Sequence, residues 1–195
     1  TIGNGEVQWM TAGSGIMHEE KLPASERLLG VQLWLNLPAK DKMAPPAYRS
    51  IKNSEIVEIE SDWGKLRLLA GEFNGRKGFM SKYLPLNYYD LHLDCDASVN
   101  LQTERDSSVM LFTLLEDVYI GGELVKEKTA VKLTSGDWVE IKATDQKAQV
   151  LFISSRRLDE PVAWGGPIVM NTREELKTAF DDLKKGTFIK NKISY

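Results

Sequence analysis

Residues Asp117–Val125 read DVYIGGELV, two short apolar runs that meet at Gly121-Gly122. A two-residue glycine connection between such runs is a strong local signal for a β-hairpin, because the favoured hairpin turns need positive φ at their central positions. The same pattern recurs outward in both directions. Upstream lie Ser108–Leu115 (SVMLFTLL), Tyr88–Leu93 (YYDLHL), Lys65–Ala70 (KLRLLA) and Glu55–Glu60 (EIVEIE). Downstream lie Thr129–Leu133, a Ser135-Gly136-Asp137 turn, Trp138–Ile141 and Ala148–Ser154. Apolar runs recurring at roughly 8–12 residue spacing, each bounded by turn residues, predict an all-β sandwich or barrel. Gly30–Leu37 (GVQLWLNL) alternates Val31, Leu33, Leu35 and Leu37 on one face and predicts another strand. The N-terminal stretch IGNGEVQWMT places Val7, Trp9 and Thr11 on one side of a strand that follows a Gly-Asn-Gly turn.

One segment reads as a helix. Asn171-Thr172 can cap it ahead of Arg173, Glu174 and Glu175 sit in the first turn, and Leu176, Ala179, Phe180 and Leu183 share a face. Lys184-Lys185-Gly186 ends it. The prolines at 45 and 46 mark the expected domain boundary. The expected organisation is therefore 1–47, 48–160, and 161–195 as a tail with a helix at about 172–185.

Composition narrows the function classes. The chain has 195 residues, 42% hydrophobic and 27% charged, which is globular and not disordered or low-complexity. Twenty-five Lys and Arg against 28 Asp and Glu leave a net charge of −3, with no basic footprint for direct nucleic-acid or membrane binding. Cys95 is the single cysteine, so no internal disulfide forms. No apolar run approaches the length of a membrane span, and the N-terminus carries no signal-peptide pattern. A cytoplasmic location is expected on these grounds. The chain lacks a glycine-rich phosphate loop and a Gly-x-Ser-x-Gly elbow, and no carboxylate pair stands out as a glycosidase acid and base.

The histidines are His18 and His92. His92 alternates with Leu91 and Leu93 and reads as a solvent-facing strand residue. His18 lies in GSGIMHEE; in extended chain His18 and Glu20 point to one side and Glu19 to the other. An imidazole and a carboxylate on one face make half of a site for iron, manganese, nickel or zinc. Taken by spacing alone, a His-x-Glu pair is far more often a solvated loop end than a ligand pair.

Four blocks carry more than this. Gly5–Glu20 (GEVQWMTAGSGIMHEE), Gly30–Tyr48 (GVQLWLNLPAKDKMAPPAY), Asp117–Gly122 (DVYIGG) and Gly165–Glu175 (GGPIVMNTREE) occur in this order over almost the whole chain and resemble the pirin family. The resemblance implies a cupin superfamily bicupin, two β-barrels in one chain, with a single metal, usually iron, in the first barrel. It implies quercetin 2,3-dioxygenase activity as in bacterial members, or alternatively a non-catalytic, iron-responsive regulatory or interaction protein as in an animal member. The family's His-x-Glu ligand pair falls on His18 and Glu20. Its other two ligands come from an HPHRGFE-like motif that this sequence lacks, so the expectation is a first barrel missing its N-terminal part, through truncation or natural shortening. With half the ligands absent, metal affinity drops steeply and the chain alone is expected to be inactive. In an intact site the resemblance implies that a flavonol's oxygens replace metal-bound waters, and that Glu20 serves both as ligand and as base toward the substrate hydroxyl. Trp9, Met10 and Ile16 would flank the opening, and the second barrel would be metal-free.

Overall fold

The computed structural model describes residues 2–193. After a turn at Asn4-Gly5, β1 (Val7–Thr11) pairs with β2 (Ala47–Ile51) in a two-stranded sheet. A 3-10 turn at Asn53–Glu55 leads into β3 (Val57–Ser61) and β4 (Gly64–Ala70), antiparallel in the register Ser61 to Gly64. A small hairpin, β5 (Glu72–Phe73) and β6 (Arg76–Lys77), precedes β7 (Leu86–Leu93), β8 (Ser98–Gln102) and β9 (Ser107–Leu115). The Asp117–Val125 run forms β10 (Val118–Ile120) and β11 (Glu123–Val125), with Ile120 opposite Glu123 across the glycine turn. Strands β12 (Ala130–Lys132), β13 (Trp138–Ala143) and β14 (Ala148–Arg156) complete this part.

These strands build two antiparallel sheets. One has the order β11-β10-β13-β8 and the other β12-β9-β14-β7-β4-β3. Period-two alternation turns one face of every strand inward: Val99 and Leu101, Val118 and Ile120, Val139 and Ile141 from the first sheet meet Leu66, Leu91, Leu111, Val150 and Phe152 from the second. The Phe152 ring stacks on Tyr89 at 5.2 Å, and Phe73 meets Tyr89 edge-on at 5.5 Å. Each such side chain fully removed from water contributes roughly 1.5–3 kcal/mol. The Tyr89 hydroxyl is not left bare; it donates to the Glu72 carbonyl at 2.5 Å.

The chain divides into two compact units. One consists of Ile51–Arg157 with the N-terminal stretch up to Val7, and the other of Gln8–Ser50 with the C-terminal stretch from Leu158 onward. The second unit contains the hairpin of β15 (Ala163–Gly165) and β16 (Ile168–Met170), followed by helix α1 (Arg173–Lys185). The helix start follows from its residues: Thr172 Oγ1 accepts from the Glu175 N–H at 3.1 Å, while the Glu175 carboxylate accepts from the Asn171 and Thr172 N–H groups. Leu176 and Phe180 lie against Gly165.

Lys42 is buried among the two segments of this unit. Its ammonium donates to Asn36 Oδ1 at 2.5 Å and to the Leu37 carbonyl at 2.8 Å. Burial pushes that ammonium below its ordinary pKa, and the carboxylates of Glu160 and Glu175 oppose the push. The Ala39 N–H donates to Glu160 Oε2 at 2.6 Å, and Asn171 Nδ2 donates to the Ala39 carbonyl at 3.3 Å.

The expected strand over Gly30–Leu37 does not form; the segment is irregular. Its alternation is present, with Leu33, Leu35 and Leu37 half-buried while Trp34 is 57% exposed. A strand, however, is defined by a ladder partner, and none of the described strands lies in register beside it.

Candidate metal centre

His18 and Glu20 stand on an irregular stretch of the second unit, with no strand or helix around them. They share a side all the same: His18 Nδ1 and Glu20 Oε1 are 4.0 Å apart. Neither is buried, with side chains 44% and 53% exposed. Glu20 Oε1 also accepts from Gln32 Nε2 at 3.0 Å, which fixes one carboxylate oxygen and leaves Oε2 free of that bond. Glu19 turns to its own lysine, Lys21, at 3.3 Å. Trp9, Met10 and Ile16 are half-buried.

The pair fits a divalent transition metal in donor type. Two donors each about 2.1 Å from an ion and at right angles to one another lie about 3 Å apart, so a small convergence of two exposed side chains suffices. The pair does not fill a coordination sphere. Among the described residues, no group of three or more His, Cys, Asp or Glu gathers to hold a metal.

The second imidazole is engaged elsewhere. On β7, His92 Nε2 is 3.2 Å from Asp90 Oδ2, and its side chain is 40% exposed, as the strand alternation predicts. Asp90 is 6% exposed and further accepts from Gln149 Nε2 at 2.7 Å and Arg67 Nη1 at 3.2 Å. Burial alone raises this carboxyl's pKa; the His92 and Gln149 hydrogen bonds and the His92 and Arg67 charges outweigh it and hold the carboxyl below its ordinary value. Arg67 spends its other donors on Glu58 Oε1, the Gly5 carbonyl and Asn53 Oδ1. This is a satisfied structural network. The barrel's lumen is filled by the apolar core.

Two residues at the site went unread in the sequence. Gln32 reaches Glu20 across twelve positions of irregular chain, and no periodicity announces such a contact. Asn191, which bonds Ser14, lies 177 positions away.

Two antiparallel sheets closed on one apolar core define the barrel as a cupin fold. The solved quercetin 2,3-dioxygenase from Acinetobacter baumannii superposes with a TM-score of 0.81 at 28% identity, over 96% of this chain and 68% of that one. The family model described as "Pirin" matches residues 1–35, and "Pirin C-terminal cupin domain" matches 88–189. The chain belongs to the pirin family. It is 35% identical to the Thermoplasma acidophilum protein named "Putative quercetin 2,3-dioxygenase", over 98% of this chain and 81% of that protein. It is 36% identical to "Pirin" of Homo sapiens, over 92% of this chain and 64% of that protein.

Proposed function

We propose that this pirin-family cupin holds a divalent transition metal, iron foremost, through His18 and Glu20, and that the site, once further donors complete it, acts on a flavonol-type aromatic substrate with dioxygen, while the chain alone is inactive. The observation that carries the reading is the 4.0 Å approach of an imidazole nitrogen and a carboxylate oxygen, two residues apart, on one side of the chain. The named relatives support the substrate class.

When bound, the metal supplies a Lewis acid that polarises the substrate's oxygens. The protein's own part is carried by few groups. His18 offers a neutral nitrogen donor. Glu20 offers a carboxylate oxygen, and an oxygen not used as donor can accept the proton of the substrate hydroxyl. Gln32, donating to Glu20 Oε1, keeps that carboxylate turned toward His18. Two donors hold an ion weakly, so turnover requires further donors from polypeptide or solvent.

The test separates binding from chemistry. With only two histidines, paramagnetic Co²⁺ or Ni²⁺ should broaden the His18 ring signals before those of His92. Glu20→Gln should abolish that selectivity. Equal broadening of both rings would overturn the assignment. Oxygen uptake and loss of quercetin absorbance with added Fe²⁺ then test the reaction. Selective metal binding without turnover, even when the missing donors are supplied, would favour the second reading, an iron-responsive interaction protein.

A further inference from the structure

The chain enters the candidate site through a buried turn. Ser14 is 6% exposed and Gly15 is buried, whereas Met17 onward is exposed. One side of this turn is closed by residue 44: the Ser14 N–H donates to the Ala44 carbonyl at 2.8 Å. Gly13, at φ +50°, passes so close that a Cβ there would lie 2.0 Å from that carbonyl oxygen. The other side is closed by residues near the C-terminus. Asn191 Nδ2 donates to Ser14 Oγ at 2.9 Å. Gly15, at φ +128°, lies against Phe188, where a Cβ would come within 2.9 Å of the ring and 3.2 Å of the Phe188 carbonyl oxygen. Both glycines are required by backbone angle and by space at once.

The C-terminal side of this clamp is itself held. Helix α1 ends at Gly186, and the chain folds back on the helix's last turn. The Thr187 N–H donates to the Asp182 carbonyl at 2.9 Å, and Thr187 Oγ1 to Asp182 Oδ1 at 3.1 Å. Lys190 Nζ donates to Asp182 Oδ2 at 2.7 Å and to the Thr187 carbonyl at 2.8 Å. Phe188 and Asn191 are therefore presented by a hook and not by a loose end.

We propose that Phe188 and Asn191 are positioning residues for the His18–Glu20 pair, acting through Ser14 and Gly15; this rests on the reading of that pair as metal-binding. Residues 16–20 have no ladder or helix of their own, so apart from the Gln32 bond to Glu20 their place is set by where the chain leaves its last buried point. Two donors two residues apart chelate well only if the segment between them is ordered before the ion arrives. Freed from the hook, the turn and the segment beyond it sample more conformations, and the ion must bear the cost of ordering them.

The experiment uses the whole 195-residue chain with Phe188→Ala and Asn191→Ala, and Phe188→Leu as the conservative control. Amide hydrogen exchange over residues 12–20 should quicken about tenfold in both alanine variants and stay near the parent rate in Phe188→Leu. Exchange in β7, β9 and β14 should not change, which shows that the fold is intact. The apparent Co²⁺ affinity should fall about three- to tenfold in the alanine variants, with altered visible absorption bands, and recover in Phe188→Leu. Unchanged exchange over 12–20 overturns the proposal. So does faster exchange with Co²⁺ affinity and spectrum equal to the parent's, which would make the hook merely structural. If the parent itself binds no Co²⁺, the metal reading fails and the positioning claim falls with it, while the exchange data still show whether the hook orders this turn.

Discussion

The Arg67 guanidinium and the Asp90 carboxylate stand 3.2 Å apart on directly paired positions of β4 and β7, and both are largely shielded from water. Arg67 is a hub: the same side chain reaches Glu58, Asn53 and the carbonyl of Gly5. It thereby ties the N-terminal turn and the 3-10 turn at Asn53–Glu55 to the six-stranded sheet. Asp90 and Glu58 together make that hub tolerable, since a guanidinium held this far from water needs facing charge, and Asp90 is the buried one of the two.

Asp90→Asn should cost about 2 kcal/mol at neutral pH, because it removes the buried one of the two carboxylates that face Arg67 and leaves only the more exposed Glu58. The pH dependence carries a sign. A carboxyl held below its ordinary 3.8 contributes stability that is whole above that value and is lost as pH falls through the lower, folded-state pKa. With His92 left in place, since its hydrogen bond and charge help hold the carboxyl down, urea unfolding should show the full gap between Asp and Asn forms at about pH 5. The gap should narrow below pH 3.8. A gap that persists undiminished into strong acid would show that the carboxylate is not held as described.

Thr113 is fully buried on β9, and its hydroxyl serves two neighbours. Oγ1 donates to the Lys126 carbonyl at 2.6 Å and accepts from the Thr129 N–H at 2.9 Å, holding the turn before β12. Thr113→Val keeps the shape and removes both bonds, for an expected loss of about 2 kcal/mol in chemical denaturation. Thr113→Ser should recover most of it. Equal stability of the Val and Ser variants would locate the effect in packing instead.

The capping of α1 makes a separate prediction. Thr172→Ala deletes the acceptor for the Glu175 N–H, and about 1 kcal/mol should go with it. Thr172→Asp, which supplies another acceptor at the positive end of the helix, should be close to neutral in thermal unfolding. A loss in Thr172→Asp as large as in Thr172→Ala would speak against the cap.

What could be read beforehand follows from the range of the forces. The hairpin at Gly121-Gly122 and the cap at Thr172 are written within a few residues, and both are found where they were expected. The barrel strands announced themselves by alternation. Strand β8 (Ser98–Gln102), absent from the expected series, alternates as well, but with only Val99 and Leu101 turned inward the pattern is short, and its place comes from pairing with β13. Gly30–Leu37 shows the converse error, an alternating pattern with no ladder partner among the described residues. At the candidate site, the convergence of His18 and Glu20 was local and legible. The Gln32 and Asn191 contacts depend on how distant segments fold back, and no local pattern encodes that.

Gln32 offers the most direct handle on the site. Its Nε2 donates to Glu20 Oε1 at 3.0 Å, so its terminal group already lies beside the pair. Gln32→Glu exchanges that donor for a second carboxylate of the same length. Without an ion, two carboxylates repel, and the bond that orients Glu20 is lost. With a divalent ion, the new carboxylate becomes a third donor whose charge is neutralised by the metal. The substitution should therefore strengthen Ni²⁺ binding about fivefold over the parent. Gln32→Ala, which only removes the orienting bond, should weaken it. Calorimetric titration of both variants, repeated in a His18→Ala background, reads this directly. The gain in Gln32→Glu must vanish when His18 is absent; a gain that survives would place the ion on carboxylates alone and take the imidazole out of the site.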